Sequence, residues 1–378
     1  MPSLETIVNG VKFPNPFVIG SGPPGTNARV ICRSFADGWG GSSAKTVSLD
    51  ASKVINVAPR YGRLKDATGE PYGWENIELI STMSFDQWLD EFREVKDKFP
   101  DHVLIASIME EYDRDAWFEI IQRCESAGVD MFECNFSCPH GLPERKMGAA
   151  MGQDYDVLAE VCSWVAEAAT KPVWAKMTPN VTHIEDPSKA ALDAGIDGIS
   201  AINTIRSVIG VDLETLRPMP TVEGYTTPGG YSCKAVKPIA LRMTMEIAML
   251  IREHYPKASL SGIGGIETGY DAAEFILLGA DTVQVCTGVM KHGYKLVQKM
   301  SEELIEFMER HGFETIDDFK GAALPYFTTH ADLVDRQRAA KEKVAEERAA
   351  QKRAEGIIRD ENWNADEFVK QSDELAGN

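Results

Sequence analysis

No stretch of this chain approaches the run of about 18 apolar residues that crosses a bilayer. The opening MPSLETIVNGVKF lacks the basic start and apolar core of a secretory signal. There is no C-x2-C pair; the nearest cysteines, Cys134 and Cys138, are spaced C-x3-C. An iron–sulfur cluster or a four-ligand zinc site therefore lacks its usual ligand spacing. The seven cysteines (32, 124, 134, 138, 162, 233 and 286) are an odd, thinly spread set. They read as reduced thiols in a cytoplasmic protein that stays where it is made. Basic charge is scarce: 58 acidic against 39 basic residues leave a net charge of −19, which disfavours nucleic acid as a partner. Internal repeats and low-complexity linkers are missing too. No G-x-G-x-x-G follows the first apolar run, where Gly20-Ser21-Gly22-Pro23-Pro24 stands instead, and this counts against an open doubly wound sheet.

What is present is a globular composition, 43% hydrophobic and 26% charged, in 378 residues, enough for a large core. Short apolar runs bounded by Gly, Pro or Asn predict strands at Phe17–Gly22, Ser42–Val47, His102–Met109, Met131–Cys138, Pro172–Thr178, Gly198–Asn203, Leu260–Gly265 and Thr282–Gly288. Amphipathic stretches predict helices at Ser84–Phe99, Asp113–Ala127, Tyr155–Ala169, Ile184–Ala194, Lys237–His254, Tyr270–Leu278 and Tyr294–His311. Eight strands alternating with helices suit a (β/α)8 TIM barrel. Two long insertions, Ser48–Ser81 and Ser207–Val236, belong over its active face. The composition changes after Ala322, so the expected division is a barrel at 1–322 and a helical tail at 323–378. Within the tail, Leu333–Glu355 reads as an exposed, charge-laced helix, either solvated or lying on a partner subunit.

Barrel chemistry sits at the C-terminal ends of strands. The fourth strand ends Glu133-Cys134-Asn135-Phe136-Ser137-Cys138-Pro139-His140-Gly141. Such a polar cluster is either a strand-ending turn or a site in which Cys138 donates a proton or attacks and Asn135 holds a ligand. A thiol near its reference pKa of about 8.5 is a competent acid. Lys45 ends the second strand and Lys176 lies in the fifth. Each either pairs with a core carboxylate, or the two share an anionic ligand. Asn203 and Thr204 end the sixth strand. The seventh and eighth end in Gly264-Gly265 and Cys286-Thr287-Gly288, where barrels often seat a phosphate. A phosphate end, two lysines and a thiol together suggest a flavin mononucleotide (FMN) barrel.

The segment Asn135–Gly141, with Glu144-Arg145, Met147-Gly148 and Gly152-Gln153-Asp154, resembles the active-site loop of dihydropyrimidine dehydrogenases. Those enzymes share a flavin barrel with dihydroorotate dehydrogenases. The likeness extends over Asn15-Pro16-Phe17, Ala44-Lys45-Thr46, Asn76–Ser81, Thr178–Thr182, Gly229–Ser232, Lys237–Leu241 and Gln284-Val285-Cys286. Tyr326–His330 and Trp363–Val369 are similar to the short, iron–sulfur-free members that use NADP. The resemblance implies FMN-mediated, NADPH-linked reduction of the 5,6 double bond of uracil and thymine. Cys138 is then the acid that protonates C5. Asn76, Glu78, Asn135, Ser137, Asn203 and Thr204 hold the pyrimidine, and Ile80 lines its site. FMN contacts fall to Gly20, Ser21, Lys45, Asn135, Lys176 and Ser232, and its phosphate to Gly264, Gly265, Cys286 and Thr287. The family also implies a homodimer.

Two departures matter. The iron–sulfur, FAD and NADPH domains of the long members have no counterpart here, so electrons come either from NADPH directly or through a separate reductase. Position 233 is Cys where relatives often carry Gly or Ala. Two other functions stay in view. One is dihydroorotate oxidation, whose enzymes typically show C-P-N and N-x-x-G where this chain has Cys138-Pro139-His140 and Asn76-Ile77-Glu78. Glu78 would also repel the orotate carboxylate. The other is a non-catalytic flavin-binding scaffold.

Overall fold

A computed structural model describes residues 2–138 and 147–355. Pro139, His140, Gly141, Glu144, Arg145 and Trp363–Val369, all part of the resemblance above, lie outside the described residues.

Eight strands close into a barrel: β1 (Phe17–Ile19), β2 (Gly41–Ser43), β3 (Val103–Ile108), β4 (Met131–Asn135), β5 (Val173–Lys176), β6 (Gly198–Ala201), β7 (Ser259–Ile263) and β8 (Thr282–Val285). Every neighbouring pair is parallel and in sequence order, and β8 closes on β1 with Val283 opposite Phe17 and Val285 opposite Ile19. The runs are readable because a parallel strand buried on both sides needs few polar residues. All six residues of β3 are buried. The alternative of an open sheet is excluded by the closure.

The helices between strands are α1 (Ala28–Asp37), α2 (Phe85–Lys98), α3 (Arg114–Ser126), α4 (Tyr155–Ala168), α5 (Glu185–Asp193), α6 (Lys237–His254), α7 (Gly269–Leu277) and α8 (Leu296–His311). Their starts are written in caps. Ser84 and Gln87 form a capping box at α2, and Asp113 accepts from the amides of Asp115 and Ala116 at α3. Sequence reading missed α1. Its buried face includes Ala28 and Ser34 beside Ile31 and Phe35, which leaves a thin apolar stripe.

A hairpin of Thr6–Val8 and Val11–Phe13 closes the N-terminal mouth of the barrel. Val8 and Phe13 pack on Val18, Val103, Ile105, Met131 and Trp174, and the Phe13 and Trp174 rings stack 6.4 Å apart. Function is thereby confined to the opposite mouth. There the two insertions do not remain loops. They join in a four-stranded antiparallel sheet ordered Ile205–Ser207, Gly229–Ser232, Pro71–Asn76, Tyr61–Lys65. Its strands carry Gly, Pro and charge in place of alternating apolar residues, so no strand signal was visible.

The chain divides at residue 324. Beyond it, α9 (His330–Glu355) is a single helix three residues longer at its start than expected, with Leu333, Val334 and Val344 exposed and Arg336 paired with Asp332 at 2.5 Å.

Close packing of α7 on α8 yields a stability prediction. Thr268 caps α7, and Gly269 follows it directly against α8. A Cβ at Gly269 would collide with the Met300 carbonyl and stand 2.6 Å from Leu304 N, both backbone atoms. Gly269→Ala is expected to cost about 1–3 kcal/mol, read as a lower urea midpoint at unchanged m-value.

Candidate active site

The C-terminal ends of the strands and the inner surface of the insertion sheet line a common cleft. Gly20 and Ser21 reach it from β1, Lys45 from β2, Asn135 and Cys138 from β4, Lys176 from β5, and Asn203 and Thr204 from β6. Gly264 and Gly265 enter after β7 and Cys286 and Thr287 after β8, while the two insertions contribute Asn76, Glu78 and Ser232. Residues separated by up to 267 positions thus meet in one space.

Two expected site residues stand elsewhere. Ser137 is fully buried and lies under the cleft wall, where it donates to Asn135 Oδ1 (2.9 Å) and accepts from Asn203 Nδ2 (2.8 Å). Ile80 packs with Met109, Met147 and Cys138 in a small apolar cluster, walling the thiol.

Two hydroxyl side chains and two backbone N–H groups hold the Asn135 and Asn203 amides. Asn135 Nδ2 donates to Thr46 Oγ1 at 3.0 Å, and Thr46 in turn lies 2.8 Å from Ser107 Oγ and 3.2 Å from Ser21 Oγ. Asn135 Oδ1 also accepts from Ser137 N at 3.2 Å, while Asn203 Oδ1 accepts from Thr204 N at 2.7 Å. Each amide's orientation is therefore dictated by its partners. From the insertion sheet, Asn76 Nδ2 donates to Gly230 O (3.2 Å) and its Oδ1 accepts from Glu78 N (3.3 Å).

Each lysine has its own carboxylate. Lys45 Nζ is 2.9 Å from Glu78 Oε2, which also accepts from Tyr61 OH at 2.7 Å, and Arg60 stands 3.5 Å from Glu78 Oε1. Lys176 Nζ is 3.0 Å from Glu133 Oε1 inside the barrel. Lys176 thus has a core carboxylate and Lys45 one from the first insertion, and both lysines still line the cleft. Burial, then Glu78, pushes the Tyr61 hydroxyl above its ordinary range. Burial pushes the Cys286 thiol up to about 11, against the opposing pull of Lys45 and Lys176, so it stays protonated at neutral pH.

Gly264 and Gly265 have φ of +139° and +74°. Side chains there would crowd α6, since a Cβ at Gly264 would lie 2.6 Å from Ala240 Cβ and one at Gly265 2.9 Å from Lys237 Cβ. The packing of α6 alone demands glycine at both. Cys233 adopts φ +79°, a left-handed conformation that glycine takes without cost and a cysteine does not. At this same end Lys291 bridges Glu267 (2.8 Å) on the barrel and Glu70 (2.8 Å) on the first insertion, tying the sheet down over the cleft.

Sequence reading missed Thr46, Tyr61, Trp74, Tyr231 and Gln284, which also line the cleft. Tyr61, Trp74 and Tyr231 sit on the unrecognised sheet. Gln284, a polar residue within an apolar strand, carried a signal that went unused.

The dihydroorotate dehydrogenase family model matches residues 3–308. The chain is 57% identical over 383 residues to the dihydropyrimidine dehydrogenase (NADP(+)), chloroplastic, of Arabidopsis thaliana, covering 100% of this chain and 88% of that one. It is 41% identical over 315 residues to the NAD-dependent dihydropyrimidine dehydrogenase subunit PreA of Escherichia coli K12 (83% of this chain, 75% of that one). To the catalytic subunit of dihydroorotate dehydrogenase B (NAD(+)) of Pyrococcus abyssi it is 34% identical over 322 residues (85% and 99%). A crystal structure of dihydroorotate dehydrogenase from Eimeria tenella in complex with ferulenol superposes with a TM-score of 0.69 at 22% identity, covering 84% of this chain and 88% of that one; this supports the fold. The expectation of a cytoplasmic protein is corrected by these findings, because the relative matched along the entire chain is a chloroplastic one. Scattered thiols report a reducing compartment, and that property does not single out the cytoplasm.

Proposed function

The chain belongs to the dihydroorotate dehydrogenase family, and from that premise we propose that it is a dihydropyrimidine dehydrogenase, an oxidoreductase that reduces uracil and thymine to their 5,6-dihydro forms with NADPH through bound FMN. The observation that carries the reading is the wall made by Cys138, Asn135 and Asn203, in which a thiol stands beside two amides of dictated orientation. A pyrimidine edge alternates carbonyl acceptors with N–H donors, and amides answer both.

The residues present fit a flavin. Two lysines border the cleft, and Gln284 Oε1 is a buried acceptor without a protein partner among the described residues, suited to a ligand that carries donors. Gly20, Ser21, Lys45, Asn135, Lys176 and Ser232 would hold the ring and ribityl chain, and the backbone of Gly264, Gly265, Cys286 and Thr287 the phosphate. When bound, FMN supplies hydride exchange between the nicotinamide and C6 of the pyrimidine. Cys138 gives its proton to C5, so that one hydride and one proton saturate the double bond. Asn76, Asn135, Asn203 and Thr204 orient the substrate edge, with Ser137 bracing two of them from behind and Ile80 shielding the thiol. Glu78 accepts from a pyrimidine N–H while its bond to Lys45 is retained.

Uracil is favoured over orotate by the relatives at 57% and 41% identity, both dihydropyrimidine dehydrogenases by name, against 34% for the dihydroorotate dehydrogenase subunit. The direct NADPH route is favoured by the 57% identical relative, which bears NADP(+) in its name; the E. coli relative is by name a subunit, and a separate reductase is the second route. In this reading the catalytic unit ends at Leu324, where the chain divides, and the protein is a homodimer.

The test is anaerobic bleaching of the flavin-loaded protein without nicotinamide. Dihydrouracil is expected to bleach the flavin absorbance and dihydroorotate to leave it unchanged. Bleaching by dihydroorotate alone would transfer the protein to the orotate branch. Bleaching by neither, from a protein that holds flavin, would favour the scaffold.

A further inference from the structure

Glu133 lies in the middle of β4, inside the barrel and wholly inaccessible to solvent. Its Oε1 is 3.0 Å from Lys176 Nζ and accepts from Ser43 Oγ at 3.3 Å, while its Oε2 accepts from Gln284 Nε2 at 2.6 Å. A carboxylate only accepts, so Gln284 has to present its NH2 to Glu133 and turn its carbonyl away. That carbonyl oxygen is buried and has no hydrogen-bond partner among the described residues. It lies beside Gly20, where a Cβ would come to 3.5 Å from it, and both residues line the cleft. Buried acceptors are rarely left unsatisfied, and a donor from outside the chain would satisfy this one.

We propose that Glu133 is a positioning residue for the cofactor: it turns Gln284 so that Oε1 accepts a hydrogen bond from FMN, and it places a negative charge against the Lys176 ammonium. The inference rests on the flavin reading above. Oxidised FMN offers two kinds of donor, the imide N–H of the ring and the ribityl hydroxyls. Glutamine at position 133 would release both constraints, because an amide either donates or accepts and carries no charge.

The acceptor is tested by titrating apo-protein, wild type and Gln284→Leu, with FMN, with 3-methyl-FMN and with deoxy-FMN analogues each lacking one ribityl hydroxyl. Wild type is expected to bind one of these analogues about tenfold more weakly than FMN, and Gln284→Leu to bind FMN about tenfold more weakly while no longer discriminating against that analogue. The discriminating analogue identifies the donor. Unchanged FMN affinity in Gln284→Leu, or equal discrimination in both proteins, overturns the assignment. Glu133→Gln is read by flavin midpoint potential. With Lys176 no longer neutralised, reduced flavin is expected to gain about tenfold over oxidised, a rise of about 30 mV for a two-electron couple. A purely structural residue would leave the potential at the wild-type value, and that result overturns the positioning role. If Glu133→Gln does not fold, the Gln284→Leu titrations decide alone. Wild-type protein that takes up no flavin overturns the cofactor reading and this inference with it, an outcome told apart because no protein in the series then binds.

Discussion

Cys138→Ala protein is expected to turn over uracil about 10²–10⁴-fold more slowly than wild type. Saturating the 5,6 bond places a hydride on C6 and a proton on C5, and without the acid the carbanionic character developing at C5 is unrelieved. Because Cys138 is 93% buried, at 7% exposure, bulk water is a poor substitute for its proton. The loss should fall on kcat. KM for uracil should move little, because the orienting amides are held by Thr46, Ser137 and Thr204 and do not depend on the thiol. Reduction of the flavin by NADPH, followed anaerobically by stopped flow, should keep its wild-type rate, since that half-reaction needs no proton at C5. Turnover within threefold of wild type would remove Cys138 from its role as acid.

Lys176→Met is expected to destabilise the folded protein by about 3–5 kcal/mol, measured by chemical denaturation. The substitution leaves the Glu133 carboxylate in the barrel interior with Ser43 and Gln284 as its remaining partners and no counter-charge. Desolvating an uncompensated ion is what makes the single change severe. Removing both charges avoids that penalty, so Glu133→Leu in the Lys176→Met background should recover most of the lost stability. Flavin uptake separates structure from function. If Lys176 serves the cofactor, the recovered double variant folds and still binds FMN weakly. A single variant as stable as wild type would mean that the Lys176–Glu133 pair contributes nothing to the core.

What could be read from the chain follows from where information is local. The eight barrel strands and seven of the helices were legible because burial on both faces and one-sided burial leave different periodicities over five to eighteen residues. The strand ends were legible as sites because Asn135, Cys138, Asn203 and Thr204 interrupt apolar runs with polar groups that a core does not tolerate unused. The insertion sheet was not, since Gly229-Gly230-Tyr231-Ser232 and Pro71–Asn76 become strands only by pairing with each other across more than 150 residues. Cellular location was misjudged for a related reason: cysteine usage reports redox conditions and nothing finer.

By itself, then, the sequence determined the eightfold βα alternation and the types of chemical group at the mouth of the barrel, because both are set by neighbouring residues. Only the tertiary structure decided which groups act together. Lys45 pairs with Glu78 from an insertion, Lys176 with Glu133 across 43 residues, and Gln284 with the same carboxylate across 151. The physical reason is closure: a barrel joins its last strand to its first, so partners that satisfy a buried charge are chosen by position around the ring, and distance along the chain carries no trace of the choice.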